Sequence, residues 1–157
     1  MNDDLYKATK VKAIGILARR EHSRSELKVK LSKNGAVPEE IIDQVLDYVI
    51  ELGYQSDERF TEVYIRYRAG SGYGPLRISR ELYAKGIDKE MFSDVLEKED
   101  VDFYELASEL FSRKYSQAWV ADYKQAQKSY RFMANRGFSS DQIQYAKDQL
   151  KLLSGDS

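Results

Sequence analysis

The chain has 157 residues, of which 42% are hydrophobic and 32% charged, and its net charge is −1. This composition suits a folded protein and excludes a disordered or uniformly basic one. With no cysteine, disulfides, thiolate chemistry and sulfur-ligated zinc are excluded too. Nothing resembles a signal peptide and no apolar run approaches the roughly 20 residues of a membrane helix, so a cytoplasmic protein is expected. Tyrosines number 12 against 6 phenylalanines, which predicts many half-buried rings at helix seams and surfaces.

Residues 5–18 read as a first helix with Val11, Ile14 and Leu17 or Ala18 on one side. His22, the only histidine, follows in a polar link, where a solvent-exposed side chain is expected. Ser23-Arg24-Ser25-Glu26 is a capping box, and the helix it opens stops near Asn34-Gly35, glycine tolerating the left-handed C-terminal conformation. Pro38-Glu39-Glu40 starts the next helix, in which Ile42, Val45, Leu46 and Val49 keep helical spacing. Ser56 or Asp57 starts a fourth, carrying Phe60, Val63, Tyr64 and Tyr67.

The stretch GYGPLRISRELYAKGI at 72–87 has glycines before a helix, as phosphate loops do. It lacks the Gly-Lys-Ser/Thr ending and a preceding strand, so it is no such loop. Gly74 reads instead as a helix N-cap and Pro75 as the first helical residue, with Ile78 and Leu82 forming the buried stripe and Gly86 the stop. Glu97, Glu99, Asp100, Asp102 and Glu105 lack the glycine and the spacing of a calcium loop and read as solvated acids around a helix start. Trp119 reads as a packing anchor. Ser139-Ser140-Asp141-Gln142 opens a last helix with a second capping box. No segment alternates like a strand, and no Ser/His/Asp set or metal cluster stands out, so neither an enzyme nor a cofactor is expected.

A period organises these elements. At a shift of 51, Gly35, Gly86 and Gly137 coincide, as do Leu31, Leu82 and Met133, and Ile41, Phe92 and Ile143. The charge swings with it: residues 5–33 carry nine bases and two acids, and residues 34–62 one base and eight acids. Residues 63–86 and 111–136 are again basic, and 87–110 acidic. A period of that length has room for three short helices. The expected fold is all-α, an elongated tandem array of three three-helix repeats at 1–54, 55–100 and 101–157.

The bases also repeat. Arg77 and Arg80 shift onto Lys128 and Arg131, and Lys85 onto Arg136; the first unit offers Glu26, Val29 and Asn34 there, and keeps a basic helix through Arg24, Lys28, Lys30 and Lys33. These positions suit a solvated helix face, and equally a basic track for an acidic protein surface or phosphates. From the residues alone, a helical-repeat scaffold for some partner and a direct DNA-binding protein both remain open.

The motifs LARREHSRSELKVKL at 17–31, GYQSDERF at 53–60 and GYGPLRISRELYAKGI at 72–87, with KSYRFMANRGF at 128–138 as a weaker match, resemble the bacterial RecX regulatory family. The third unit departs most, with Ser129 and Phe132 where the second has isoleucine and glutamate. The resemblance implies an all-α array and a monomeric, non-enzymatic regulator. Its expected partner is the RecA recombinase filament on single-stranded DNA, whose ATPase, strand exchange and co-protease activity it would suppress, with direct DNA contact in some members. It implies filament contacts at Tyr73, Arg77, Arg80 and Lys85, then at Arg20, Arg24 and Lys28, then at Lys128, Arg131 and Arg136. Gly53, Phe60, Gly74, Pro75 and Gly86 would belong to the scaffold.

Overall fold

The computed structural model describes residues 2–115 and 123–153, and Trp119 lies outside them. All secondary structure among the described residues is helical: α1 (Asn2–Arg19), α2 (Arg24–Ser32), α3 (Glu39–Glu51), α4 (Asp57–Gly70), α5 (Pro75–Ala84), α6 (Lys89–Lys98), α7 (Phe103–Lys114), α8 (Tyr123–Arg136) and α9 (Ser140–Leu153). They form tandem groups of three. Among the described residues, no helix is long and apolar enough to cross a membrane.

The helix starts are set by side-chain caps. The Glu26 N–H donates to Ser23 Oγ at 3.1 Å while the Ser23 N–H donates to the Glu26 carboxylate, also at 3.1 Å, which satisfies two otherwise orphaned donors at the head of α2. Ser139 and Gln142 repeat the exchange at α9. Ser56 accepts from the Arg59 N–H at α4, and Asp102 accepts from the Glu105 N–H at α7. One turn of 3-10 helix, Lys33–Gly35, follows α2, with both Asn34 (φ 79°) and Gly35 (φ 64°) left-handed.

The chain divides into two compact units. The first combines Met1–Tyr64 with Leu82–Glu97, and the second Ile65–Glu81 with Lys98–Ser157. In the first, α1 and α2 lie on α3, and Leu27, Leu31, Ile42, Val45, Leu46 and Val49 make the centre of the core. In the second, α7 lies along α9, and Phe103, Ala107, Phe111, Met133, Ile143, Ala146 and Leu150 are buried. Each buried aliphatic or aromatic side chain contributes roughly 1.5–3 kcal/mol.

Two helical stripes differ from the sequence expectation. Val11 is 69% exposed; α1 buries Thr9 and Ala13 instead, with Ile14 and Leu17 partly covered. In α4, Val63 and Tyr67 point outward, and the buried side runs through Phe60, Thr61, Ile65 and Ala69. In both helices the inward face includes small or hydroxyl-bearing residues. Thr9 and Thr61 are able to enter it because each donates its hydroxyl to a carbonyl one turn back, at Leu5 and Asp57, both 2.7 Å away.

Candidate partner-binding surface

Much of what holds the basic positions is a joint built twice. At the first, the end of α5 meets the start of α2: the Ser23 hydroxyl donates to the Lys85 carbonyl at 2.7 Å, and a Cβ on Gly86 would collide with the Ser25 side chain. At the second, the end of α8 meets the start of α5. There the Gly74 N–H donates to the Arg136 carbonyl at 2.7 Å and the Leu76 N–H to the Gly137 carbonyl at 2.9 Å. A Cβ on Gly74 would strike the Gly137 backbone, and one on Gly137 would strike Arg77. Gly86 (φ 87°) and Gly137 (φ 100°) are both left-handed, so glycine is required for conformation and for room.

The two joints differ in charge. In the first, Lys85 Nζ lies 3.3 Å from the Glu26 carboxylate, which also takes Arg20 at 3.3 Å. Burial opposes the charge on Glu26, but the Ser23 N–H, Arg20 and Lys85 outweigh it and hold its carboxyl below the usual range. In the second, the shift of 51 turns Glu26 into Arg77, so Arg136 faces a like charge. Two groups offset the repulsion. The Tyr73 ring lies under three guanidiniums, with Arg68, Arg77 and Arg136 at 3.8, 4.5 and 4.7 Å from its centroid. Glu81 takes Arg68 at 2.8 Å and Arg77 at 3.2 Å.

The remaining candidates separate into engaged and open. Arg77 also donates to the Asn135 carbonyl at 3.1 Å, and Arg136 donates weakly to the Ser71 carbonyl at 3.4 Å. Arg24 gives its N–H to Asp57 at 2.8 Å and sets its guanidinium 3.9 Å from Asp43. Lys28 lies 3.3 Å from both Asp43 and Glu39, and its pKa is raised, first by the hydrogen bond to Asp43 and then by the one to Glu39. By contrast Arg80, Lys128 and Arg131 are exposed and have no carboxylate partner among the described residues. Sequence spacing did not separate the open three from the seven that hold the molecule together.

His22 corrects an expectation. It is 2% exposed, not solvated. Its Nδ1 lies 3.1 Å from the Arg20 carbonyl and its Nε2 2.7 Å from Lys30 Nζ. An ammonium can only donate, so Nε2 accepts and Nδ1 carries the proton, the neutral tautomer. Burial, helped by Arg20 and Lys30, keeps its pKa below the ordinary value. The Gln55 amide donates to the His22 carbonyl at 3.2 Å and Glu21 pairs with Arg59, so the link is packed from the neighbouring repeat. That neighbour is what the sequence could not supply. Among the described residues, no cluster of three or more histidine, cysteine, aspartate or glutamate side chains could hold a metal.

The three groups of helices and their joints correspond to known domains. Residues 10–48, 56–96 and 100–146 match, in order, the first, second and third three-helix domains described for RecX. The regulatory protein RecX of Pseudomonas savastanoi pv. phaseolicola is 39% identical over 140 residues, covering 89% of this chain and 90% of that protein. The chain belongs to the RecX family. The RecX of Ectopseudomonas mendocina is 41% identical over 131 residues, covering 83% of this chain and 87% of that protein. The crystal structure of RecX from Lactobacillus salivarius shares the fold, with a TM-score of 0.80 at 24% identity, covering 96% of this chain and 99% of that one. Membership places the chain among regulatory proteins.

Proposed function

We propose that this RecX-family chain is a non-enzymatic negative regulator. It binds the RecA recombinase and its single-stranded-DNA filament, and it lowers the filament's ATPase, strand-exchange and co-protease activity in homologous recombination and the SOS response. The observation that carries the reading is the match of all three RecX domains in chain order. In this reading the chain acts in the cytoplasm as a monomer and needs no cofactor, with repeats bounded at 1–54, 55–100 and 101–157. A filament presents its sites at fixed intervals, so several modest contacts from a repeated surface add without a deep pocket. Inhibition requires only that one arrangement of the filament subunits be bound better than another.

Arg80, Lys128 and Arg131 are the proposed primary contacts, because a cation already held by a carboxylate gains less from a new acidic partner. Tyr73, Arg77, Lys85, Arg136, Arg20, Arg24 and Lys28 are proposed as further filament contacts. The test is RecA ATPase on single-stranded DNA, titrated with the wild type and with Arg80→Glu/Arg131→Glu. Inhibition that a folded variant loses supports the reading. Inhibition unchanged in the variant moves the contact elsewhere, and no inhibition by the wild type sinks the regulator.

A further inference from the structure

Two hollows in the second unit, of about 330 and 410 Å³, share Ala69, Gly70 and Leu106 and so run together as one groove lined by the end of α4 and by α7. On the α7 side it follows the chain from Asp102 to Arg113, about 16 Å along the helix axis. Its floor is apolar, with Ala69 and Leu106, and Gly70 keeps it open, since a Cβ there would meet nothing within 4 Å. Along the other wall stand Asp100, Asp102, Glu105 and Glu109. Asp102 accepts the Glu105 N–H at 3.1 Å as a helix cap. Asp100, Glu105 and Glu109 are exposed and have no basic partner among the described residues. Of the two bases at the groove, Arg66 is taken by Glu99 through two bonds of 2.9 Å, and Arg113 stands beyond Glu109 in the last turn of α7. The groove is therefore acidic along its length.

We infer that this groove docks an extended cationic segment of a partner protein, with lysine or arginine at every second position and aliphatic residues between. The spacing sets the pattern. Glu105 and Glu109 are one helical turn apart, about 6 Å along α7, and alternate residues of an extended chain repeat at about 6.7 Å. Each base therefore meets one acid, and about five residues fill the length of the groove. Side chains of an extended segment alternate in direction, so bases turned to the α7 acids leave the aliphatic ones for Ala69 and the space at Gly70. A merely solvated acidic face accounts for the carboxylates but not for the hollow or its apolar floor. Complementary charge would draw the segment in, and the apolar contacts would hold it. None of the lining residues is among the proposed filament contacts, so docking here goes beyond the filament reading and does not rest on it.

The experiment is fluorescence anisotropy of a labelled hexapeptide of alternating lysine and leucine, titrated with the full chain at about 50 mM salt. Gly70→Phe should weaken binding about tenfold by filling the floor at unchanged charge. Gly70 is not among the left-handed glycines and a side chain there enters open space, so the fold is retained. Glu105→Gln/Glu109→Gln should weaken binding about three- to tenfold and flatten its salt dependence. A hexapeptide of alternating lysine and serine should bind about tenfold more weakly than the leucine one. Circular dichroism verifies that both variants are folded. Failure of the wild type to bind, wild-type affinity in either variant, equal binding of the serine peptide, or displacement of the peptide by spermidine at matched charge would each overturn the site. Self-association of the free chain in sedimentation velocity, reversed by the peptide, would assign the groove to a second copy and overturn it as well.

Discussion

Replacing Gly86 with alanine tests whether the joint between α2 and α5 is as tight as its geometry indicates. The residue has φ 87°, and an alanine there costs about 1–2 kcal/mol for the left-handed backbone. The new methyl would overlap the Ser25 side chain, and relieving such overpacking costs about 1–3 kcal/mol. Any shift of the α2 start stretches the bond from Ser23 Oγ to the Lys85 carbonyl, worth about 1 kcal/mol net. The sum is about 3–6 kcal/mol, a large part of a typical stability of about 5–15 kcal/mol. Gly35 provides the control: it is also left-handed, at φ 64°, but a methyl there meets nothing within 4 Å. Gly35→Ala should therefore cost only about 1–2 kcal/mol. Urea unfolding followed by circular dichroism gives both values, and Ser25→Gly added to Gly86→Ala should recover much of the overlap cost. If Gly86→Ala and Gly35→Ala cost the same within about 0.5 kcal/mol, the close-packed joint is wrong.

Tyr73→Leu removes the ring beneath three guanidiniums and should destabilise by about 1–3 kcal/mol, while Tyr73→Phe keeps the ring and should stay near wild type in the same unfolding assay. His22 has a lowered pKa, so below the ordinary histidine range the unfolded chain binds the extra proton. Stability should consequently rise with pH through about 6.5, and His22→Gln should flatten that rise between urea midpoints taken at about pH 5.5 and 7.5. Glu26 is the opposite partner in kind: its lowered pKa contributes stability at neutral pH that disappears as acid titrates the carboxylate. Glu26→Gln should cost about 1 kcal/mol at pH 7, and its deficit relative to wild type should shrink in an acid titration of the unfolding midpoint.

The features legible in the sequence were those decided within a few residues. Ser23 with Glu26, and Ser139 with Gln142, are exchanges across a single helical turn, and both form as the pattern predicts. Gly86 and Gly137 were readable as helix stops from their period. Their second role, admitting another helix start, depends on a neighbour dozens of residues away. The same limit hid the packing of Gln55 on His22 and the tethering of Arg77 to Asn135 and of Arg136 to Tyr73, partners dozens of residues away in the chain. Arg77 and Arg80 are three residues apart and look alike in a list of bases, yet Arg77 is bound to Glu81 and Asn135 while Arg80 faces solvent. Val11, Val63 and Tyr67 face solvent although they are larger than Ala13, Thr61 and Ala69, which the inward stripes use.

The joint also says what lengthening this array by design would require. Each helix start that receives a neighbour offers a small residue at one phase of the period, serine at 23 and glycine at 74. The next position in that series is 125, where glutamine sits inside α8, two residues beyond its first turn's beginning at Tyr123. An engineer adding a further module with the same geometry would have to end that helix's lead-in and rewrite position 125 before any new glycine could land there.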